Sequence, residues 1–335
     1  MPSALVIGGS RFMGRRLVLL LAARGFSVTV VNRGLAGDPF GGRVERLTLD
    51  RRSPALAAAL AGRTFDLAAD FAAYTGEDAA GAVQALAGRV GHYVALSSGQ
   101  VHLVGADAER PGRVPLAEDA PLRAPMAEPR EPLHRQEWLY GMGKRMMEEA
   151  LLGAAGTPGF PATVLRLPMV QGEGDPSRRT ESYLWRMLDG GPLLLPDGGD
   201  RRLRHVYAGD VARFIVDLAG RGAAFGRVLN VCQDEAPTLG EFLAMLAGRL
   251  GASPRLVEVP AGALEAAALP VAEVSPFSTP WMSMLDPRRA EAEFQFRPTP
   301  PEEYLPRLVE DFCAHAAAPP EDRGLREREL ALAGA

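Results

Sequence analysis

The stretch ALVIGGSRFMGRRLVLLLAARG, residues 4–25, constrains the fold more than any other part of the chain. ALVIG (4–8) is a short apolar run of the kind buried on both faces of a parallel sheet. FMGRRLVLLLAARG (12–25) carries apolar residues at helical spacing and stops at Gly25. GGSRFMG (8–14) joins the two without a loop. A strand that turns directly into a helix aims the helix's free N–H groups and positive dipole end at whatever lies over the turn. That arrangement cradles a dinucleotide pyrophosphate. Gly8 allows the tight turn and Gly14 the close packing of helix on strand. The expected cradle is therefore Gly8, Ser10, Arg11, Phe12, Met13 and Gly14, with Arg11 where a middle glycine is common.

The same alternation continues downstream. SVTVVN (27–32), VERLTL (44–49), FDLAADF (65–71), HYVALSS (92–98) and ATVLRL (162–167) read as further strands, with a helix across 77–89 and another carrying Tyr140 and Lys144. Strands alternating with helices predict an α/β fold with a doubly wound parallel sheet. After Pro168 the rhythm becomes irregular, which predicts a smaller, discontinuous C-terminal lobe for substrate. The expected division is residues 1–170, with returning segments at about 205–235, for the dinucleotide domain. Residues 171–204 and 236–317 form the substrate lobe, and 318–335 a charged tail that is a surface helix or frayed end. The proline-rich loop from Val101 to Pro132 lies close to Ser98 and is expected to form part of a lid.

A net charge of −4 and a pI near 5.8 argue against a nucleic-acid or anionic-membrane surface. The longest apolar run, LVLLLAA (17–23), is too short to cross a bilayer. MPSALVIGG enters a strand pattern without a basic n-region, so no leader is expected. Cys232 and Cys313 stand far apart, and no metal site is expected. A reduced, cytoplasmic protein with both thiols buried is the simple reading.

The end of the second strand, VNRG, bears on the cofactor. NAD-preferring sites commonly place an acid there to hold the ribose 2′-hydroxyl. Here Asn32 is neutral and Arg33 basic. Arg33 together with Arg11 would favour a 2′-phosphate through charge-assisted hydrogen bonds, so NADP(H) is the expected cofactor, with NAD(H) allowed.

Of the 37 Lys+Arg residues, 36 are arginine; the exception is Lys144, four residues after Tyr140. On a helix these two share a face. A phenol with a pKa near 10 is a poor base at neutral pH, and an ammonium nearby stabilises its phenolate. Lysine is also compact enough to reach ribose hydroxyls where a planar guanidinium would displace them. Ser97 and Ser98 close the strand HYVALSS, where sites on open α/β sheets lie; either hydroxyl could hold a substrate oxygen or cap a turn.

GGSRFMG, Asp50, LSSGQVH, YGMGK and LRLPMVQGEGD together resemble the extended short-chain dehydrogenase/reductase superfamily in its NAD-dependent epimerase/dehydratase branch. RHVYAGDVARFI (204–215), LNVCQDEAPTLGEFL (229–243) and DPRRAEAEFQFRPTPPEEYL (286–305) extend the likeness over nearly the whole chain. The resemblance implies a Rossmann domain and a triad of Ser98, Tyr140 and Lys144. Ser98 is preferred because the family's hydroxyl stands three residues before the valine that is here Val101. It also implies that Asp50 meets the adenine, that Phe71, Ala72 and Ala73 lie beside the cofactor, and that Pro168 to Val170 wall the nicotinamide. GGSR also resembles atypical members related to chloroplast stem-loop-binding proteins. The family often dimerises through helices of the first lobe, which makes a homodimer an expectation.

The departures narrow the function. Met169 stands where sugar-nucleotide epimerases often carry Asn. Gly99 and Gln100 follow Ser98 where dehydratases carry an Asp-Glu pair, which removes the evident proton shuttle for elimination. Leu203, between Arg202 and Arg204, occupies the place of the family's phosphate-binding arginine. His102, where Tyr is common, reads as structural. The expected function is thus an NADP(H)-dependent reductase of a small-molecule carbonyl. The alternative is an NAD-dependent sugar-nucleotide epimerase using the same triad, with Arg178, Arg179, Arg201 and Arg202 as candidate diphosphate ligands. An RNA-binding or non-catalytic scaffold is the third class, opposed by the intact triad and the negative charge.

Overall fold

The computed structural model describes every residue except 107–113, 156–159, 316–322 and 335. The first part of the chain runs β1 (Ser3–Ile7), α1 (Phe12–Ala23), β2 (Ser27–Asn32), β3 (Glu45–Thr48), α2 (Ala55–Ala59), β4 (Leu67–Asp70), α3 (Gly76–Leu86), β5 (Tyr93–Ser98), α4 (Gln100–Leu103), α5 (Pro132–Ala155) and β6 (Ala162–Leu167). It continues with β7 (Met169–Gln171), α6 (Arg179–Leu188), β8 (Leu193–Pro196), β9 (His205–Tyr207), α7 (Ala208–Leu218), β10 (Arg227–Asn230), α8 (Leu239–Leu250) and β11 (Leu256–Val259). Five helices close it: α9 (Ala261–Ala266), α10 (Val271–Val274), α11 (Arg288–Phe294), α12 (Pro301–His315) and α13 (Gly324–Leu332).

Seven strands form one parallel sheet in the order β10-β6-β5-β4-β1-β2-β3. β1, β4, β5 and β6 are buried almost throughout, as strands covered on both faces must be. The order reverses between β1 and β4, so the crevice beyond their carboxyl ends is the ligand position of such sheets. One core layer packs α1 and α7 against the sheet and includes Phe294 and Phe296 from α11 and just beyond it. The other packs α3 and α5 against the opposite face. A separate core unites Tyr183, Phe242, Phe277, Tyr304 and Phe312 from the later helices.

Two expectations need correction, and a third is narrowed. The described part of the 101–132 loop does not cover the crevice. Leu116 bridges to Leu285, Met126 N–H donates to the Val104 carbonyl, and Glu118 accepts from Asn230 N–H, so the loop is packed into the body; residues 107–113 lie outside the described chain. Of the two readings of the tail, the surface helix agrees with α13 and the frayed end does not: α13 docks on α6 through Glu329, which is fully buried between Arg186 (2.5 Å) and Arg326 (2.8 Å). Cys232 is buried as expected, but Cys313 is exposed. No helix among the described residues is long and apolar enough to cross a membrane.

Candidate active site

Two adjoining cavities lie at the carboxyl edge of the sheet and share Gly8, Arg11, Phe71 and Tyr74. The first, of ≈ 440 Å³, is walled by Ser10, Asn32, Arg33, Asp50, Arg51 and Ala72 among others. The second, of ≈ 520 Å³, takes Phe12, Met13, Gly14, Ser98, Tyr140, Lys144, Pro168 and Val170, and also Glu137, Arg179 and Trp281.

The glycine turn between them has the geometry a phosphate cradle needs. Gly8 has φ +84°, open to glycine without strain. A Cβ on Gly14 would stand 2.7 Å from the Gly8 carbonyl oxygen, so α1 sits against the turn only because that side chain is absent. Gly9, which sequence reasoning passed over, is as tightly held: its Cβ would meet Val6 at 2.8 Å and Val18 at 2.9 Å. Phe12 opens α1 with φ +45°, a left-handed residue at the mouth of both turn and cavity.

A dinucleotide fits this chain by its own unsatisfied chemistry. Ser10 Oγ and Asn32 Nδ2 are buried, line the first cavity or its residues, and have no hydrogen-bond partner among the described residues. Asn32 spends its Oδ1 on Gly34 N–H (2.8 Å), leaving the amide donor for a ligand. Arg11 and Arg33 are exposed at the rim, and neither guanidinium makes an ion pair or hydrogen bond among the described residues. Below them Arg51 is clamped between Asp70 (2.7 Å) and Asp78 (2.9 Å), so it serves as floor rather than ligand. Ala73 alone of the expected cofactor residues lines neither cavity. Its side chain is buried, and its carbonyl instead accepts from Lys144 Nζ at 2.6 Å.

Lys144 also donates to the Leu96 carbonyl at 2.7 Å and lies 4.6 Å from the Tyr74 ring centre. The ammonium is 2% exposed, and burial brings its pKa down to about 8 against the opposing pull of Asp70, Glu148 and Asp78. With two of its three N–H groups held by backbone, one remains for the cavity. The Tyr140 ring centre is 5.6 Å from the same ammonium. Burial, helped by Tyr74 and Glu137 and opposed by the Ser98 hydrogen bond and Arg179, brings the phenol up to about 12. The lowering expected from Lys144 is outweighed: the group stands as a neutral phenol, a proton donor.

Both serines line the second cavity, but their hydroxyls differ in partners. Ser97 donates to buried Glu148 at 2.5 Å, and Glu148 is held by Arg166 at 2.7 Å, so the Ser97 hydroxyl is already engaged. Ser98 faces Tyr140 and accepts from Gln100 N–H at 3.3 Å. His102 meets the Arg166 guanidinium at 3.1 Å and takes a structural place beside it. Of the four arginines weighed as diphosphate ligands, only Arg179 lines the second cavity, and it is paired with Asp175 at 3.3 Å. Arg201 donates to Ser278 O and Arg202 to Ala236 O, while Arg178 pairs with Glu181. Tyr74, Gln100, Glu137 and Trp281 were not anticipated. Tyr74 could have been found as an aromatic just past a strand end; the others meet only in space.

Comparison with known proteins places this geometry. The model of the NAD dependent epimerase/dehydratase family matches residues 4–232. No curated protein matches the sequence. Among solved structures, UDP-glucose 4-epimerase of Thermotoga maritima, with UDP-glucose, superposes with a TM-score of 0.72 at 19% identity, covering 93% of this chain and 99% of its own. A UDP-glucuronic acid 4-epimerase variant of Bacillus cereus, with a fluorinated UDP-sugar and NAD, gives 0.70 at 16%, covering 93% and 99%. The dTDP-glucose 4,6-dehydratase of Streptomyces venezuelae, with NAD and TYD bound, gives 0.68 at 21%, covering 96% and 98%. At these identities the likeness is one of fold, and the cofactor named with two of them is NAD, which lends no support to the NADP(H) preference expected from Arg11 and Arg33. With two-thirds of its length matched by the family model, the chain belongs to the NAD dependent epimerase/dehydratase family and is an enzyme of the extended short-chain dehydrogenase/reductase type.

Proposed function

We propose that this enzyme oxidises and re-reduces one secondary alcohol carbon of a sugar-nucleotide-class substrate, an epimerase reaction run with NAD(H). The observation that carries the reading is the convergence of Ser98, Tyr140 and Lys144 on the wall of the second cavity, beside a glycine turn that opens into the first. The family match supports epimerase chemistry over the simple carbonyl reduction expected from sequence. Gly8, Ser10, Arg11, Phe12, Met13, Gly14, Asn32, Asp50, Phe71, Pro168 and Val170 would hold the dinucleotide. When bound, its nicotinamide supplies the acceptor and donor of hydride.

The side chains then manage the proton. Ser98 holds the reacting oxygen by hydrogen bond. For the oxidation Tyr140 must first release its own proton to solvent, which burial opposes and the Lys144 ammonium favours; the phenolate then takes the hydroxyl proton as the carbonyl forms, and the neutral phenol returns it on reduction. Lys144, fixed between two carbonyls, offers its remaining N–H to the ribose and its charge to the phenolate. The absence of an Asp-Glu pair after Ser98 argues against dehydration.

A second reading, NADP(H)-dependent carbonyl reduction, rests on a different observation: Arg11 and Arg33 are unpaired among the described residues, at the rim of the first cavity. One experiment separates the two. The nucleotide released from purified protein on denaturation is identified, and the protein is incubated with UDP- and dTDP-hexoses while NMR follows the sugar signals. Epimerisation with retained NAD, lost by 10²- to 10⁴-fold in Tyr140→Phe, is the expected result. Retained NADP, with turnover of a ketone and none of the hexoses, overturns the epimerase reading for the second.

A further inference from the structure

The wall of the second cavity holds a carboxylate that the Ser/Tyr/Lys chemistry does not use. Glu137 lies one helical turn before Tyr140 on α5, and both line the second cavity. Gln100, 7% exposed on α4, donates its side-chain amide to Glu137 Oε2. The Gln100 backbone N–H donates to Ser98 Oγ, so one residue ties the carboxylate to the reacting centre. No guanidinium or ammonium pairs with Glu137 among the described residues. Its other oxygen, Oε1, accepts no hydrogen bond there. Of the cations that line the same cavity, Arg179 is committed to Asp175, Lys144 is held by two backbone carbonyls, and Arg11 makes no ion pair among the described residues.

An ionised carboxylate only accepts hydrogen bonds, so the free oxygen calls for a donor in the ligand. Three residues of helix separate Glu137 from Tyr140 by about 4.5 Å along the axis. That spacing suits two hydroxyls on neighbouring carbons, one held by Tyr140 and Ser98, the other by Glu137. We infer that Glu137, held by Gln100, is a specificity-determining residue that accepts a hydrogen bond from a hydroxyl on the carbon adjacent to the reacting one. The substrate class is then a vicinal diol or hydroxyketone, and a carboxylate or a bare CH₂ at the adjacent carbon is refused. The inference rests on the reading of this site as an alcohol/carbonyl oxidoreductase.

The test uses matched pairs of probes with and without the adjacent hydroxyl: 2,3-butanediol and 2-butanol, trans-1,2-cyclohexanediol and cyclohexanol, UDP-glucose and its 3-deoxy analogue. Binding to the full-length protein with NADH present is read by saturation-transfer NMR, and hydride transfer is read separately after adding NAD. The expected result is binding of at least one hydroxylated member roughly 10- to 100-fold tighter than its partner, with that ratio collapsing toward one in Glu137→Gln. Because the ratio is taken within one protein, general damage to the variant cannot mimic it. Equal binding within every pair, a ratio unchanged in Glu137→Gln, or no binding of any diol member overturns the inference. Discrimination that depends on Glu137 but comes with no hydride transfer from any diol would leave the inference standing and overturn the oxidoreductase reading instead.

Discussion

Acidification to pH 5 should take several kcal/mol from the stability of this protein, and the cause is three buried imidazoles. His92, His102 and His205 are 0%, 7% and 2% exposed. The Arg166 guanidinium, which can only donate, meets His102 Nε2, and the Gln171 amide meets His205 Nε2 at 3.3 Å while its oxygen accepts from Thr180. Both rings must therefore accept at Nε2 and be neutral. Burial brings His92 down to about 4 and His102 and His205 down to about 3. A base whose folded pKa is depressed binds its proton more readily when unfolded, so this stability is present above about pH 6.5 and is lost as pH falls toward 4. At pH 5 each ring has forfeited about 2 kcal/mol, and the three together about 6 kcal/mol, against a total of roughly 5–15 kcal/mol for a typical protein. The assay is urea unfolding at pH 7.5 and 5.0, with proton uptake measured alongside. With a slope of about 3 kcal/mol per molar, the midpoint should drop by about 2 M, and unfolding at pH 5 should take up about three protons. A midpoint that does not move between these pH values, or ¹⁵N shifts showing imidazolium at His102 or His205 at pH 6, would refute the reasoning.

Other perturbations test the remaining parts of the account. Glu329→Ala leaves the half-buried Arg186 without its acid, while Arg326 keeps Asp189, and should cost about 1.5–3 kcal/mol, seen as cleavage of α13 by trypsin at concentrations that spare the wild-type protein. Lys144 is the chain's one lysine, so ¹³C reductive methylation marks a single side-chain amine; its signal should titrate near 8 rather than 10.4, and a normal value would mean the ammonium is not held in the buried place described. Gly14→Ala pushes a Cβ to 2.7 Å from the Gly8 carbonyl oxygen, and the turn must open. Dinucleotide binding, followed by calorimetry, should weaken at least tenfold even where circular dichroism is unchanged, and intact binding would show that the close approach is dispensable.

What could be read from the sequence, and what could not, divides by the kind of signal. β1, α1, β2 and β6 lay within two residues of their expected bounds because their information is local: an apolar run, a helical period, a glycine that alone tolerates positive φ at 25. Gln100 and Glu137 are 37 residues apart and gave no local sign of meeting; only the docking of α4 on α5 brings the amide to the carboxylate. The docking of the tail helix was illegible for a related reason. REREL reads as a solvated charge run, yet Glu329 is fully buried because Arg186, more than a hundred residues earlier, supplies its counter-charge. Charge patterning reports how polar a face is, not whether a partner waits for it. Ala73 shows the limit of carrying roles across a family, since its contribution is a carbonyl, which any residue has.

Lys144 was legible on different grounds. A chain that writes 36 of its 37 basic side chains as arginine has removed every lysine that a guanidinium can replace, so the survivor marks a place defined by size. The structure gives that size: one nitrogen, 2.6 and 2.7 Å from two backbone carbonyls, with an aromatic ring 4.6 Å away. A guanidinium is planar and spreads its charge over three nitrogens, and could not enter without moving the strand ends that carry Ala73 and Leu96. Those same strand ends bound the site on either side, so what excludes arginine at 144 is also what holds Tyr140 and Ser98 in register with the sheet. Lys144→Arg should therefore disturb Tyr74 and Ser98 as well as the lysine's own contacts, visible as backbone amide shifts at 72–74 and 97–99. Shifts confined to residue 144 and its helix would show that the space was wider than these distances allow.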